Sequence, residues 1–169
     1  MAKNRPPRPT PDIKQMYQLA EHYSEASRLL DDQARGNGWG CSAPQMLVES
    51  FAVELYLKCL YVLDMGAAPP RGHDWEELFG ALKDFTREAI RDQFGRSIDW
   101  HPVLSNLSVI NPDTVKVTDF NRALKAGKNT FDRRRYLYEP LPAGEWFYAR
   151  LLREAIQGVT KMDIRLNGC

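Results

Sequence analysis

The chain is predicted to be all-α: an antiparallel bundle of four to five helices. Three observations point there. Apolar residues recur every three or four positions in separate segments along the chain. These segments open on Ser, Thr or Asp cap patterns and close at Gly or Pro. No segment shows a convincing alternation of apolar and polar residues, the mark of a half-buried strand. Mostly short loops between such helices make neighbours antiparallel.

The elements follow in order. Thr10-Pro11-Asp12 reads as a helix start, with an N-cap, a proline at the first helical position and an acid in the first turn. Ile13, Met16, Tyr17, Ala20, Tyr23, Ser27 and Leu30 then keep helical spacing, and Gly36-Asn37-Gly38 ends the run. Ser42-Ala43-Pro44-Gln45 reads as a capping box that opens a second helix. That helix reaches about Met65 and stops at Gly66, with Pro69 and Pro70 beyond. Leu47, Val48, Phe51, Ala52, Leu55, Cys59, Leu60, Val62 and Leu63 cover so much of its circumference that it should be central. Its Glu54 and Lys58, one turn apart in the favourable order, should form an ion pair.

Gly72-His73-Asp74 turns into a third helix, with Asp74 and Glu77 as a capping-box pattern. Trp75, Leu78, Phe79, Leu82, Phe85, Ala89 and Ile90 form one stripe that fades near Gly95. Residues 96–118, with Pro102 and Pro112, read as a long connection containing at most a short helical turn. A helix resumes near Thr118 and carries Phe120, Ala123, Leu124 and Phe131. Pro140 and Pro142 break the chain, and a last helix from about Gly144 carries Phe147, Leu151, Ala155, Val159 and Met162. Residues 1–9 place Lys3, Arg5 and Arg8 among three prolines and are expected to stay unfolded. Residues 10–169 form one domain, as a chain of 169 residues suggests.

Composition narrows the function. With 43% hydrophobic and 27% charged residues, the chain has an ordinary globular make-up. A net charge of +1 disfavours coating of nucleic acid or anionic lipid by bulk charge. No apolar run approaches the roughly 20 residues that span a bilayer, so no membrane partner is expected. Cys41, Cys59 and Cys169 are odd in number and far apart, which fits a reducing cytoplasm, and Cys59 should be plain core.

Few residues suggest chemistry. His22, His73 and His101 lie on different segments, with no second ligand type at metal spacing, so neither a metal nor another cofactor is expected. Gly36-Asn37-Gly38-Trp39-Gly40 follows a helix rather than a strand and reads as an interhelical turn. His73 could act as a general base, but no nucleophile accompanies it, which favours a hydrogen-bonding role at the turn before the helix start. The run Arg133-Arg134-Arg135-Tyr136-Leu137-Tyr138-Glu139 stands apart. Guanidinium groups bind phosphates bidentately, and tyrosine rings stack on bases. The same run could instead complement a helix C-terminus and pair with surface acids.

Three stretches together resemble the HEPN (higher eukaryotes and prokaryotes nucleotide-binding) helical domains. Glu49 to Leu63, with its Glu-x-x-x-Lys step at Glu54 and Lys58, is similar to the second HEPN helix. Gly72-His73-Asp74-Trp75 is similar to the start of the following helix, and Asn129-x-Phe131 with Arg135-Tyr136-x-Tyr138-Glu139 to a late HEPN element. The resemblance orders residues 49–139. It implies a homodimer with a composite, metal-free site, in a toxin–antitoxin or phage-defence setting, with RNA, a nucleotide, a cognate antitoxin or another protein as partner. Many HEPN domains cut RNA with an arginine followed four to six residues later by histidine. No histidine follows His101, so that signature is missing.

The leading expectation is therefore phosphate binding without cleavage through Arg133, Arg134, Arg135, Tyr136 and Tyr138. Glu54 and Lys58 either line that groove or form an internal pair that supports Arg135. One alternative is a divergent, metal-independent endoribonuclease with Arg135, Glu139 and His73 as catalytic candidates. The other is a pure protein-interaction module.

Overall fold

A computed structural model describes residues 9–36, 43–99, 119–127 and 145–166. Every element among them is a helix: α1 (Ile13–Gly36), α2 (Ala43–Met65), α3 (Trp75–Gly80), α4 (Asp84–Asp99), α5 (Phe120–Gly127) and α6 (Glu145–Leu166). Six lie among the described residues where four to five are expected for the whole chain, because the third expected helix is two.

α1 and α2 run antiparallel. Thr10 Oγ1 meets the Gly66 carbonyl at 3.4 Å, Tyr56 meets Glu21 at mid-length, and Ser27 meets Glu49 near the other end. Thr10 is therefore not the cap of α1. Asp12 is, its carboxylate accepting from the Gln15 N–H at 3.1 Å and its carbonyl from the Met16 N–H. At the far end of α2, Gly66 takes φ +62° and donates its N–H to the Val62 carbonyl, the left-handed stop that glycine allows.

The break between α3 and α4 has a local cause. Asp74 caps α3, accepting from the Glu76 and Glu77 N–H groups. After Gly80 the chain tightens, with the Leu82 N–H bonded to the Phe79 carbonyl. Asp64 of α2 then supplies the start of α4 from across the bundle, accepting from the Lys83 N–H and the Thr86 hydroxyl, both at 2.8 Å. This restart shifts the phase of the apolar stripe. Leu82, Thr86, Ile90 and Phe94 turn inward, whereas Phe85, expected in the stripe, is 61% exposed. α4 also continues through residues 96–99, which the sequence places in the connection.

α5 docks by its first residue: the Phe120 ring lies 5.0 Å from that of Phe79 and 5.4 Å from that of Phe94. α6 packs on α2, α4 and α5, burying Leu151, Leu152, Ala155, Ile156 and Val159. Centrality is thus shared between α2 and α6. Met162, expected on the inner stripe, is exposed, and Thr160 is fully buried. Cys59 is buried core, and desolvation pushes its thiol pKa up to about 12.

Asp163 of α6 has a pKa raised by burial first and by the nearby Asp64 carboxylate second. A carboxyl with a higher pKa folded than unfolded holds its proton more firmly in the native chain. Its contribution to stability is present at low pH and lost as pH rises through the folded value. Asp163→Asn should therefore raise the denaturation midpoint at neutral pH, and the gain should vanish near about pH 3, below both values. An equal shift at both pH values would show that charge is not the cause.

Candidate functional site

Two polar clusters interrupt the apolar packing. The smaller joins α2 to the turn before α3. Glu54 on α2 receives Lys58 Nζ at 2.5 Å on one carboxylate oxygen and lies 2.7 Å from His73 Nδ1 through the other. Glu54 and Lys58 are largely buried, while the His73 ring is 56% exposed. The helical spacing of Glu54 and Lys58 makes their pair local. The contact with His73 is not local, because it requires the turn at residues 66–74 to fold back over α2. His73, expected at the helix start, thus has Glu54 as a partner. A carboxylate on Nδ1 orients an imidazole and favours the tautomer with its proton on that nitrogen.

The larger cluster lies between α1, α2 and α6. Arg153 of α6 is 8% exposed and Glu49 of α2 is 3% exposed. Arg153 Nε donates to Glu49 Oε1 at 2.7 Å, and Nη1 donates to Ser24 at 2.9 Å and Gln157 at 3.1 Å. Ser27 donates to the second Glu49 oxygen. One turn towards the start of α6, Arg150 donates to Asp31 at 3.0 Å and to Glu154 at 3.1 Å. Burial lowers the Arg150 pKa, but Glu154 and Asp31 outweigh it and hold the guanidinium charge more firmly than usual. A cavity of about 100 Å³ opens among these side chains, with Ser27, Arg28 and Gln45 completing its wall.

Further along α1 the polar seam continues. Glu21 accepts from the Tyr56 hydroxyl at 2.6 Å and the Gln157 amide at 2.8 Å. Burial pushes its carboxyl pKa up, but hydrogen bonds from Tyr56, Gln157 and Tyr17 outweigh that and leave it below the ordinary value. Tyr56 moves the other way: burial first and Glu21 second raise its pKa, so it stays a neutral donor.

Of the predicted site residues, the structure brings Glu54, Lys58 and His73 together. Arg133, Arg134, Arg135, Tyr136, Tyr138 and Glu139 lie outside the described residues, as do Cys41, His101, Cys169, the 100–118 part of the connection and Phe131. Among the described residues, no group of three or more His, Cys, Asp or Glu side chains could hold a metal, and no helix is long and apolar enough to cross a membrane.

The Arg153–Glu49 cluster is not among the residues the sequence singles out, yet a signal for it exists. Glu49 interrupts the buried series Met46, Val53 on α2, and Arg153 interrupts Ala149, Ile156 on α6. Opposite charges set at helical spacing within apolar stripes on two central helices point to a buried pair.

No family model, curated protein or solved structure matches the chain.

Proposed function

We propose that the protein is a HEPN-like helical domain that binds nucleotide or RNA phosphate as a homodimer. Arg133, Arg134 and Arg135 hold the phosphates, and Tyr136 or Tyr138 stacks on a base. The observation that carries the reading is the density of the run: three arginines, two tyrosines and a glutamate in seven residues of a chain with net charge +1. On so neutral a chain, phosphate affinity has to be local. Further support comes from Glu54, Lys58 and His73, residues of two of the three HEPN-like stretches that meet around one carboxylate. A toxin–antitoxin or phage-defence role, with an antitoxin as protein partner, follows from the resemblance, and a cytoplasmic location follows from the cysteine pattern.

A second reading, divergent metal-independent endoribonuclease, is favoured by one observation: the Glu54–His73 contact, which orients an imidazole as a general base requires. One experiment separates the two. Single-stranded RNA is titrated with the native chain and with Arg133→Ala/Arg135→Ala, in chelator, at two salt concentrations, and then checked for length. Binding should weaken by about tenfold or more in the variant, with a shallower salt dependence and uncut RNA. Equal binding by both chains overturns the site. RNA cut by the native chain and spared by His73→Ala selects the nuclease.

A further inference from the structure

The cavity between α1, α2 and α6 carries more charge than packing needs. Three guanidinium groups (Arg28, Arg150, Arg153) and three carboxylates (Asp31, Glu49, Glu154) face it. A buried ion pair is weak support for stability, since apolar residues of similar volume often serve as well. The space exceeds what one water needs, and every residue that lines it has a polar or charged side chain, so it is not a dry packing defect.

Two features define what it would take. First, donors remain. Among the described residues, Arg150 uses Nε and Nη1, and its Nη2 makes no hydrogen bond. Arg153 Nη2 has only Glu154, at 3.5 Å. Neighbouring guanidinium groups with spare N–H donors suit a carboxylate, which accepts several charge-assisted hydrogen bonds. Second, the lining charges cancel. A polyanion such as a nucleotide would gain no net attraction, and its phosphates would meet three carboxylates. A molecule with both signs a few ångströms apart meets no such conflict. Its carboxylate would take the Arg150 and Arg153 donors, and its ammonium would sit against Glu154. The rim fits this, because Arg150 and Glu154 are each a little over one third exposed and leave the site open to solvent.

We infer that this cavity is a binding site for a small zwitterion of the α-amino-acid type, separate from the phosphate-binding run proposed above. The probe is L-alanine, titrated calorimetrically into the full chain, with acetate, methylammonium and inorganic phosphate as partial ligands. L-Alanine should bind and raise the melting temperature, and each partial ligand should bind at least about tenfold more weakly. Arg150→Gln should weaken L-alanine binding by about tenfold, as should Glu154→Gln, which keeps the measurement available if the first variant folds poorly. Acetate or phosphate binding as well as L-alanine would overturn the zwitterion assignment. Absence of L-alanine binding at tens of millimolar would overturn the site, as would undiminished binding in both variants. RNA binding by the same variants should be unchanged, so failure here is distinguishable from failure of the phosphate-binding reading.

Discussion

Glu49→Ala should destabilise the protein by about 3–5 kcal/mol, a large part of the roughly 5–15 kcal/mol that holds a typical domain together. The substitution removes the main acceptor of Arg153 and leaves a guanidinium that is 8% exposed without its carboxylate. Ser24 and Gln157 still accept from Nη1, but neither carries charge, and the one remaining carboxylate, Glu154, is a long contact at 3.5 Å. The Ser27 hydroxyl also loses its acceptor. Urea denaturation reads the effect as a lower midpoint at an unchanged slope. Glu49→Leu/Arg153→Met removes both charges together and should cost clearly less than Glu49→Ala. A double variant as unstable as the single one would mean that packing volume, not charge pairing, governs the site.

Trp75→Ala should cost a comparable amount, about 3–5 kcal/mol, for a different reason. The indole is 1% exposed and sits at the first position of α3, directly after the Asp74 cap. Its removal opens a cavity between α3 and the core, where Leu78 and Phe79 pack. Phe85→Ala is the contrast. It deletes another large aromatic side chain from the stripe the sequence predicts, yet its ring is 61% exposed and the cost should stay within about 0.5 kcal/mol. Comparable losses from the two variants would contradict the phase of α4.

That contrast shows what the sequence makes legible. Periodicity, caps and glycine stops act within a few residues, so α1, α2, α3 and α6 can be read from it, as can the Glu54–Lys58 pair. The restart at residues 81–84 cannot, because the acceptor for the Lys83 N–H is Asp64, on another helix. A continuous stripe from Trp75 to Ile90 fits one helix as well as two, and only the distant carboxylate decides between them. His73 is similar: its place before a cap is local, but its partner Glu54 lies 19 residues back. The Arg153–Glu49 pair spans 104 residues and shows in the sequence only as two charges on apolar faces. Arg133 to Glu139 keep their meaning from residue chemistry and resemblance alone.

The polar seam between α1, α2 and α6 also limits how the helices can slide. Smooth apolar faces built from Leu, Ala and Val interlock almost equally well one helical turn apart. A shift of about 5.4 Å would carry Arg153 from the level of Glu49 to that of Gln45 or Val53. In the same movement Glu21 on α1 would part from Gln157, or from Tyr56 if α1 moved with α6, leaving further buried polar groups unmatched. The seam therefore acts as a vernier: only one alignment of the three helices satisfies every mark. A Glu49→Leu/Arg153→Met chain keeps its hydrophobic drive but loses the finest of those marks. Its amide spectrum should show doubled or broadened resonances along α6 where the native chain gives single sharp ones.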